Sequence, residues 1–162
     1  MLAGLTINND RYADVRDEMD GLSKSMSELQ EDLLLLIDKD AEAFAPLAAA
    51  YKMAADDEKK AEAMEAALKK AALAPFETMI KVAEAISLLE RLSKTGSKLA
   101  LSDAACGAAL CQGAMKAAWI NVLANTKYMK DREFAGKVEL EANGLLEKSA
   151  ELAEKVIDRV MQ

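Results

Sequence analysis

The chain has 162 residues, enough for one domain with a single core, and 52% of them are hydrophobic while only 4% are aromatic. Abundant Ala, Leu, Met, Glu and Lys, with two prolines and seven glycines, favour helices and leave little material for the turns of an all-β protein. A net charge of −7 argues against nucleic-acid and anionic membrane partners, and the lack of histidine excludes a Ser-His-Asp triad, a Cys-His pair and histidine metal ligands.

The sequence carries no sign of a membrane or secretory destination. No apolar run approaches the roughly 20 residues of a membrane span, and Met1 leads almost directly into the polar segment "NNDRY". Cys106 and Cys111 are five residues apart on one predicted helix and point in different directions, which suggests reduced thiols. We therefore expect a cytoplasmic protein.

The first predicted helix is long and amphipathic. Its apolar residues recur at steps of three and four from Tyr12 to Ile37, and the same phase continues to Asp40 and Phe44. Pro46 follows at once, and because proline lacks the N–H that a helix interior requires, it predicts a kink or a new helix start at this point.

Four further helices are predicted after this one. The segment "ADDEKKAEAMEAALKKAAL" is typical of a second helix capped by Asp56 or Asp57, and Pro75 suits the first position of a third, which ends at Gly96. A fourth helix, capped by Ser102 or Asp103, runs to about residue 125, and a fifth runs from about 131 to 160. Short connections favour antiparallel neighbours, so the sequence predicts an all-α protein: one domain over residues 1–162, an antiparallel bundle of about five helices, the long one kinked near Pro46.

Asp40 is the first candidate functional residue. It lies three residues after Ile37 and four before Phe44, so it shares their face and is expected to be buried. A carboxylate on a core-facing stripe needs a partner or a purpose. Asp40 either forms a structural ion pair or hydrogen bond at the helix kink, or it has a functional role.

The fourth helix carries an unusual face of small and polar residues. The residues that share it are Asp103, Gly107, Leu110, Ala114, Ala118, Asn121 and Asn125. Its small members permit close helix packing or leave room for a ligand. Asp103 and Asn121 are 18 residues apart, about 27 Å along a helix, so they cannot both grip one small functional group.

The segment "TGSKLALSD" leads into this helix. Backbone N–H groups at a helix start favour anions, and Lys98 adds positive charge, although an ordinary loop and cap explain the same residues.

Three separated segments resemble one enzyme family. They are "RYADVRDEMD", "LLLLIDKDAEAFAPLAAAYKM" and "GSKLALSDAACGAALCQGAMKAAWINVLANTKYMKDREF". Together, in this order, they resemble the cyclodeaminase/cyclohydrolase family, which comprises the cyclodeaminase domain of formiminotransferase-cyclodeaminase and the free-standing bacterial methenyltetrahydrofolate cyclohydrolases. The resemblance implies an all-helical homodimer that acts on a tetrahydrofolate derivative. No metal is predicted.

The sequence departs from the family pattern at its start. Family members carry a glycine-rich "PGGGS"-like segment before an Ala-rich first helix, whereas "MLAGLT" resembles the end of that helix. The glycine-rich segment is expected to form part of the substrate site, so a version with it is expected to bind and convert folate better than this chain.

The chemistry that the resemblance implies suits a site without histidine. Cyclodeamination and cyclohydrolysis both pass through a tetrahedral carbon at the N5/N10 unit and need proton transfers that a carboxylate can serve. Asp40 is the leading catalytic candidate and Asp103 the second. Possible substrate contacts are Ser102, Asn121, Asn125 and Lys98, the last for the glutamate tail. The sequence does not separate cyclohydrolase from cyclodeaminase, and the alternative is a non-catalytic helical oligomer or folate-binding module.

Overall fold

The computed structural model describes residues 2–8, 10–55, 57–98 and 101–160. Its helices are α1 (Leu2–Ile7), a 3-10 helix (Asp10–Val15), α2 (Arg16–Lys52), α3 (Lys60–Thr95), α4 (Leu101–Thr126) and α5 (Arg132–Asp158). No strand occurs within these ranges. The predicted all-α class is confirmed, with four long helices in place of about five.

The helix count differs because α3 runs through Pro75, which the sequence had suggested as a helix start. Proline at position 75 removes the N–H that would bond to the Ala71 carbonyl four residues earlier. Asn125 replaces that donor, since its Nδ2 lies 3.2 Å from the Ala71 oxygen. The prediction of two separate helices on either side of Pro75 is therefore wrong.

Helix α2 also passes through its proline without ending. Pro46 and Glu42, the residue whose carbonyl loses its helical donor, are both exposed, so water can bond to that carbonyl. Two prolines in long helices are thus tolerated for different reasons, one through solvent and one through a side chain.

The helix starts differ in part from the expected caps. Helix α3 has Lys59 at its cap position without a side-chain bond, while the Asp57 carboxylate accepts from the Lys59 N–H at 2.9 Å. Asp56, the alternative cap, lies outside the described residues. Ser102 and Asp103 lie within the first turn of α4, so neither is its cap, and residues 99–100 lie outside the described ranges. Asp131 caps α5, accepting from the Phe134 N–H at 3.0 Å.

The bundle is antiparallel between consecutive long helices. In each pair of neighbours, residues early in one helix contact residues late in the next. Helices α2 and α3 meet through Glu18–Arg91 and Lys39–Glu77. Helices α3 and α4 meet through Leu89–Gly107 and Ala71–Asn125, and α4 and α5 through Gln112–Ala150 and Trp119–Asn143. Helix α5 runs parallel to α3, which it meets through Lys69–Asp131 and Glu90–Arg159. Helix α3 therefore contacts all three of the other long helices.

The core lies along the seams between these helices. Its largest fully buried side chains are Met19, Leu22, Met79, Ile86, Leu92, Met115, Val122 and Val156. None of the helices in the described ranges combines the length and apolar character that a bilayer crossing requires.

Candidate functional site

A cleft of about 390 Å³ opens where α2, α3 and α4 meet. Its walls are mostly apolar and carry three polar side chains. The lining residues are Leu33, Leu36, Ile37, Asp40, Pro75, Thr78, Ala114, Ala117, Ala118 and Asn121. A concave apolar surface with a few polar groups is typical of a small-molecule site, and we call it the Asp40 cleft.

Asp40 shares a face of α2 with Ile37 and Phe44, as predicted, but both of these residues are exposed, so the face is not the buried one that the sequence suggested. Asp40 lies four residues after Leu36 and three before Ala43, both buried on the core-facing stripe of α2, yet it is itself exposed. The residues opposite include Ala114 and Ala118, whose side chains are too short to cover it. The expectation of a buried carboxylate is therefore wrong, because the facing helix leaves open space.

The small residues of α4 have two separate uses. At Gly107 the helix comes so close to α3 that an added Cβ would lie 3.2 Å from Leu89 Cδ2. At Ala114, Ala117 and Ala118 the same helix forms a wall of the Asp40 cleft. The two uses that the sequence left open, close packing and room beside the helix, therefore both occur, about two turns apart on α4.

Asn121 and Asn125 play different parts at the far end of this wall. Asn121 is exposed and lines the cleft. Asn125 is half-buried, and its Nδ2 donates to the Ala71 carbonyl at 3.2 Å and to the Asn121 carbonyl at 2.9 Å. A buried carbonyl left without a donor costs about 1–3 kcal/mol, so Asn125 offsets the defect that Pro75 introduces.

Asp103 lies in a second cleft, of about 340 Å³, between α1, α2, α3 and α4. The residues that line it are Ala3, Gly4, Ser23, Met26, Ser27, Gln30, Leu89, Leu92, Asp103 and Ala104. The structure thus separates the two candidate carboxylates, as the spacing along α4 predicted for Asp103 and Asn121.

Lys98 and Ser102 are exposed and line neither cleft. The loop that carries Lys98 is held to the start of the chain, because its N–H faces the Tyr12 hydroxyl at 3.4 Å and the Ser97 N–H donates to the buried Thr6 hydroxyl at 2.9 Å.

The sequence reasoning missed the contribution of α3 to the Asp40 cleft. Thr78 lines it next to the buried Pro75, and the Thr78 hydroxyl donates to the Ala74 carbonyl at 3.3 Å. A proline placed at a helix start points to no partner, whereas a proline inside a helix requires a donor for the carbonyl four residues before it. If Pro75 had been placed inside a helix, the sequence would have shown that the Ala71 carbonyl needs a donor. Asn125 is such a donor, and pairing the two would have placed the α3 wall beside α4.

Neither cysteine is among the described residues that line the Asp40 cleft. Burial raises the pKa of the half-buried Cys111 thiol, and Cys106 is an exposed free cysteine. Within the described ranges no three Cys, Asp or Glu side chains are grouped closely enough to hold a metal ion.

The fold and this cleft define the class: an all-α bundle whose open cleft offers a carboxylate, a hydroxyl and an amide without histidine. The chain belongs to the formiminotransferase-cyclodeaminase family, whose model matches residues 1–144. The family resemblance expected from the three segments is confirmed.

Individual relatives agree with this assignment. The chain is 30% identical over 164 residues to a methenyltetrahydrofolate cyclohydrolase of Methylorubrum extorquens, a match that covers 99% of this chain and 79% of that protein. It is 27% identical over 128 residues to a formimidoyltransferase-cyclodeaminase of Gallus gallus, covering 76% of this chain and 24% of that one. The crystal structure of a formiminotetrahydrofolate cyclodeaminase from Thermotoga maritima is similar with a TM-score of 0.84 and 28% identity, over all of this chain and 80% of the other.

Proposed function

We propose that this protein is a folate-dependent one-carbon enzyme, a methenyltetrahydrofolate cyclohydrolase or a formiminotetrahydrofolate cyclodeaminase that acts at the N5/N10 unit. The observation that carries the proposal is the Asp40 cleft, in which Asp40, Thr78 and Asn121 face one apolar-walled space in a chain of this family. The cyclohydrolase and cyclodeaminase names of its relatives support this reaction class.

The shape and polarity of the cleft suit a flat pterin or benzoyl ring. Alanine side chains of α4 and the ring of Pro75 offer apolar surface, while Asn121 can bond to polar ring atoms. A ring bound there would cover Asp40 and separate it from bulk water.

Asp40 is the proposed acid–base group. In cyclodeamination it takes the N10 proton as N10 bonds to the formimino carbon, and it returns a proton to the amine nitrogen as that carbon–nitrogen bond breaks and ammonia leaves. In cyclohydrolysis it takes a proton from the water that adds to the methenyl carbon and delivers that proton to N5 as the bond between N5 and this carbon breaks. The hydroxyl of the tetrahedral intermediate loses its proton to solvent as the formyl carbonyl forms. Asp103 remains the second candidate, with Lys98 and Ser102 as proposed contacts for an extended substrate.

The oligomer and location are part of the same proposal. Residues 1–162 form one cytoplasmic domain, which pairs as a homodimer through the exposed apolar residues beside the cleft. These residues are Ile37 and Phe44 on α2 and Leu110 and Ile120 on α4, which are between 56% and 77% exposed. Helix α4 has apolar residues on all of its sides, and the outer face of such a helix is normally covered by another part of a protein.

The test is turnover of both substrates by the purified protein. Methenyltetrahydrofolate absorbs light that its product does not, so cyclohydrolase activity removes this absorbance and cyclodeaminase activity with formiminotetrahydrofolate generates it. We expect one of the two reactions to run well above the rate without protein. Folate binding without turnover would favour the folate-binding module instead, and neither binding nor turnover would refute the proposal.

A further inference from the structure

The middle of α3 contains a backbone defect that another helix repairs. Pro75 is buried and cannot donate to the Ala71 carbonyl, which belongs to a residue only 5% exposed. The Asn125 side chain of α4 supplies the missing donor at 3.2 Å. A hydrogen bond from α4 therefore replaces a backbone hydrogen bond that is missing within α3, and it joins the two helices at this point.

This joint lies directly behind the Asp40 cleft. Pro75 forms part of the wall, and Asn121, whose carbonyl accepts the second Asn125 bond at 2.9 Å, forms another part. Asn125 itself is not a lining residue. One amide therefore holds two pieces of the wall, on two different helices, at a fixed separation.

The Asn125 amide has no donor left for a ligand. An Asn amide nitrogen carries two hydrogens, and carbonyl oxygens of Ala71 and Asn121 take both. Because both partners are acceptors, the nitrogen and not the oxygen must face them. A direct substrate contact by Asn125, which the sequence analysis considered, would therefore have to use its amide oxygen.

We propose that Asn125 is a positioning residue for the folate reaction. By donating to the Ala71 carbonyl, which has no helical donor because of Pro75, Asn125 fixes the positions of Pro75 and Asn121 relative to Asp40. The proposal rests on the proposed function. It predicts that the need for Asn125 disappears when the residue at position 75 can donate its own N–H.

Four chains test the proposal: the parent, Asn125→Ala, Pro75→Ala and the double variant. In the parent background we expect Asn125→Ala to lower kcat/KM by about 10- to 100-fold, since small displacements of positioned groups cost this much. In the Pro75→Ala background the alanine at position 75 bonds to Ala71 within the helix, so adding Asn125→Ala should change kcat/KM by less than about 3-fold. An equal loss in both backgrounds would mean that Asn125 contacts substrate directly, and would overturn the proposal.

Urea unfolding of the same four chains supplies the measurement that does not depend on turnover. Asn125→Ala should lower the urea midpoint of the parent and leave that of the Pro75→Ala chain nearly unchanged. Equal shifts would overturn the proposal. Coupled unfolding with unchanged kcat/KM per folded molecule would make Asn125 purely structural and would overturn it too.

The proposed function fails separately. If the parent chain neither converts methenyl- or formiminotetrahydrofolate nor binds tetrahydrofolate, the proposed function is refuted and the positioning role falls with it. If the parent is active and only the coupling is missing, the positioning role alone is refuted.

Discussion

At the scale of single residues, Asp40 shows what a helical pattern predicts and what it does not. Spacing placed Asp40 on the face of Ile37 and Phe44, but both of those residues are exposed, and the buried residues next to Asp40 on the helix surface are Leu36 and Ala43. The exposure of Asp40 depends on how large the side chains of α3 and α4 are where they face it. That information lies in distant parts of the sequence, so a periodicity within α2 could not supply it.

The prediction at this scale concerns the Asp40 carboxylate. Asp40→Asn should lower kcat by roughly 10²–10⁴-fold, because the amide cannot carry the proton, while KM changes little. Since Asp40 is exposed, the free energy of unfolding should change by less than about 0.5 kcal/mol. Steady-state kinetics and urea unfolding of the same preparation measure both.

Asp38→Asn is the matched control, because Asp38 is an exposed carboxylate on the same turn that does not line the cleft. Near-normal turnover by Asp40→Asn would transfer the acid–base role to Asp103.

At the scale of helices, the sequence predicted helical type almost everywhere, but the break at Pro75 and the expected cap of α4 were wrong. The end of α3 at Thr95 and the cap of α5 follow from local signals, namely Gly96 after α3 and the Asp131 side chain before α5. The break expected at Pro75 did not occur, because Asn125, 50 residues later, completes the helix there. The local sequence shows that a proline removes a helical hydrogen bond, but it does not show that a side chain from another helix can replace that bond.

The start of α5 gives a prediction on pH. The Glu65 carboxylate of α3 accepts the N–H groups of Lys130 and Asp131, at 2.8 and 3.0 Å. These two bonds lower the pKa of Glu65 from its ordinary value of 4.5. A lowered pKa means that the folded state binds the proton less readily, so the stabilisation is present above about pH 4.5 and is lost as the pH falls through the folded-state pKa.

Glu65→Gln should therefore destabilise the protein near neutral pH and destabilise it less at about pH 3, below the ordinary pKa of a glutamate. Urea midpoints at the two pH values measure the difference. Glu62→Gln, one turn earlier on the exposed face of α3, should leave the midpoint unchanged at both. A Glu65→Gln defect of the same size at both pH values would contradict the charge-dependent account.

At the scale of the whole molecule, one side of the bundle is more apolar than a free surface needs to be. Exposed residues of α2 and α4 flank the Asp40 cleft, with Leu110 at 77% exposure. Helix α4 buries Met115 and Val122 on its inner side and presents Leu110 and Ile120 on its outer side. Exposed apolar patches of this kind mark interaction sites.

The prediction here is that Leu110→Glu weakens self-association. A charge in an apolar contact between copies should raise the dimer dissociation constant by at least about 10-fold, as measured by sedimentation equilibrium. Leu140→Glu on α5 is the control, because Leu140 is 73% exposed and lies between the exposed Lys137 and Glu141. A parent chain that sediments as a monomer at micromolar concentration would contradict the proposed homodimer.

The contact between α3 and α4 has a consequence for the uniqueness of the fold. Alanine-rich faces present shallow ridges, and two such faces can slide past each other by a turn at little loss of contact. Here Gly107 receives Leu89 near one end of the contact, and Asn125 bonds to Ala71 near the other. A shift by one turn would move Leu89 away from Gly107 and leave the Ala71 carbonyl without a donor. The close contact at Gly107 and the Asn125 hydrogen bond therefore select one alignment of α3 and α4, where side-chain size alone would permit several.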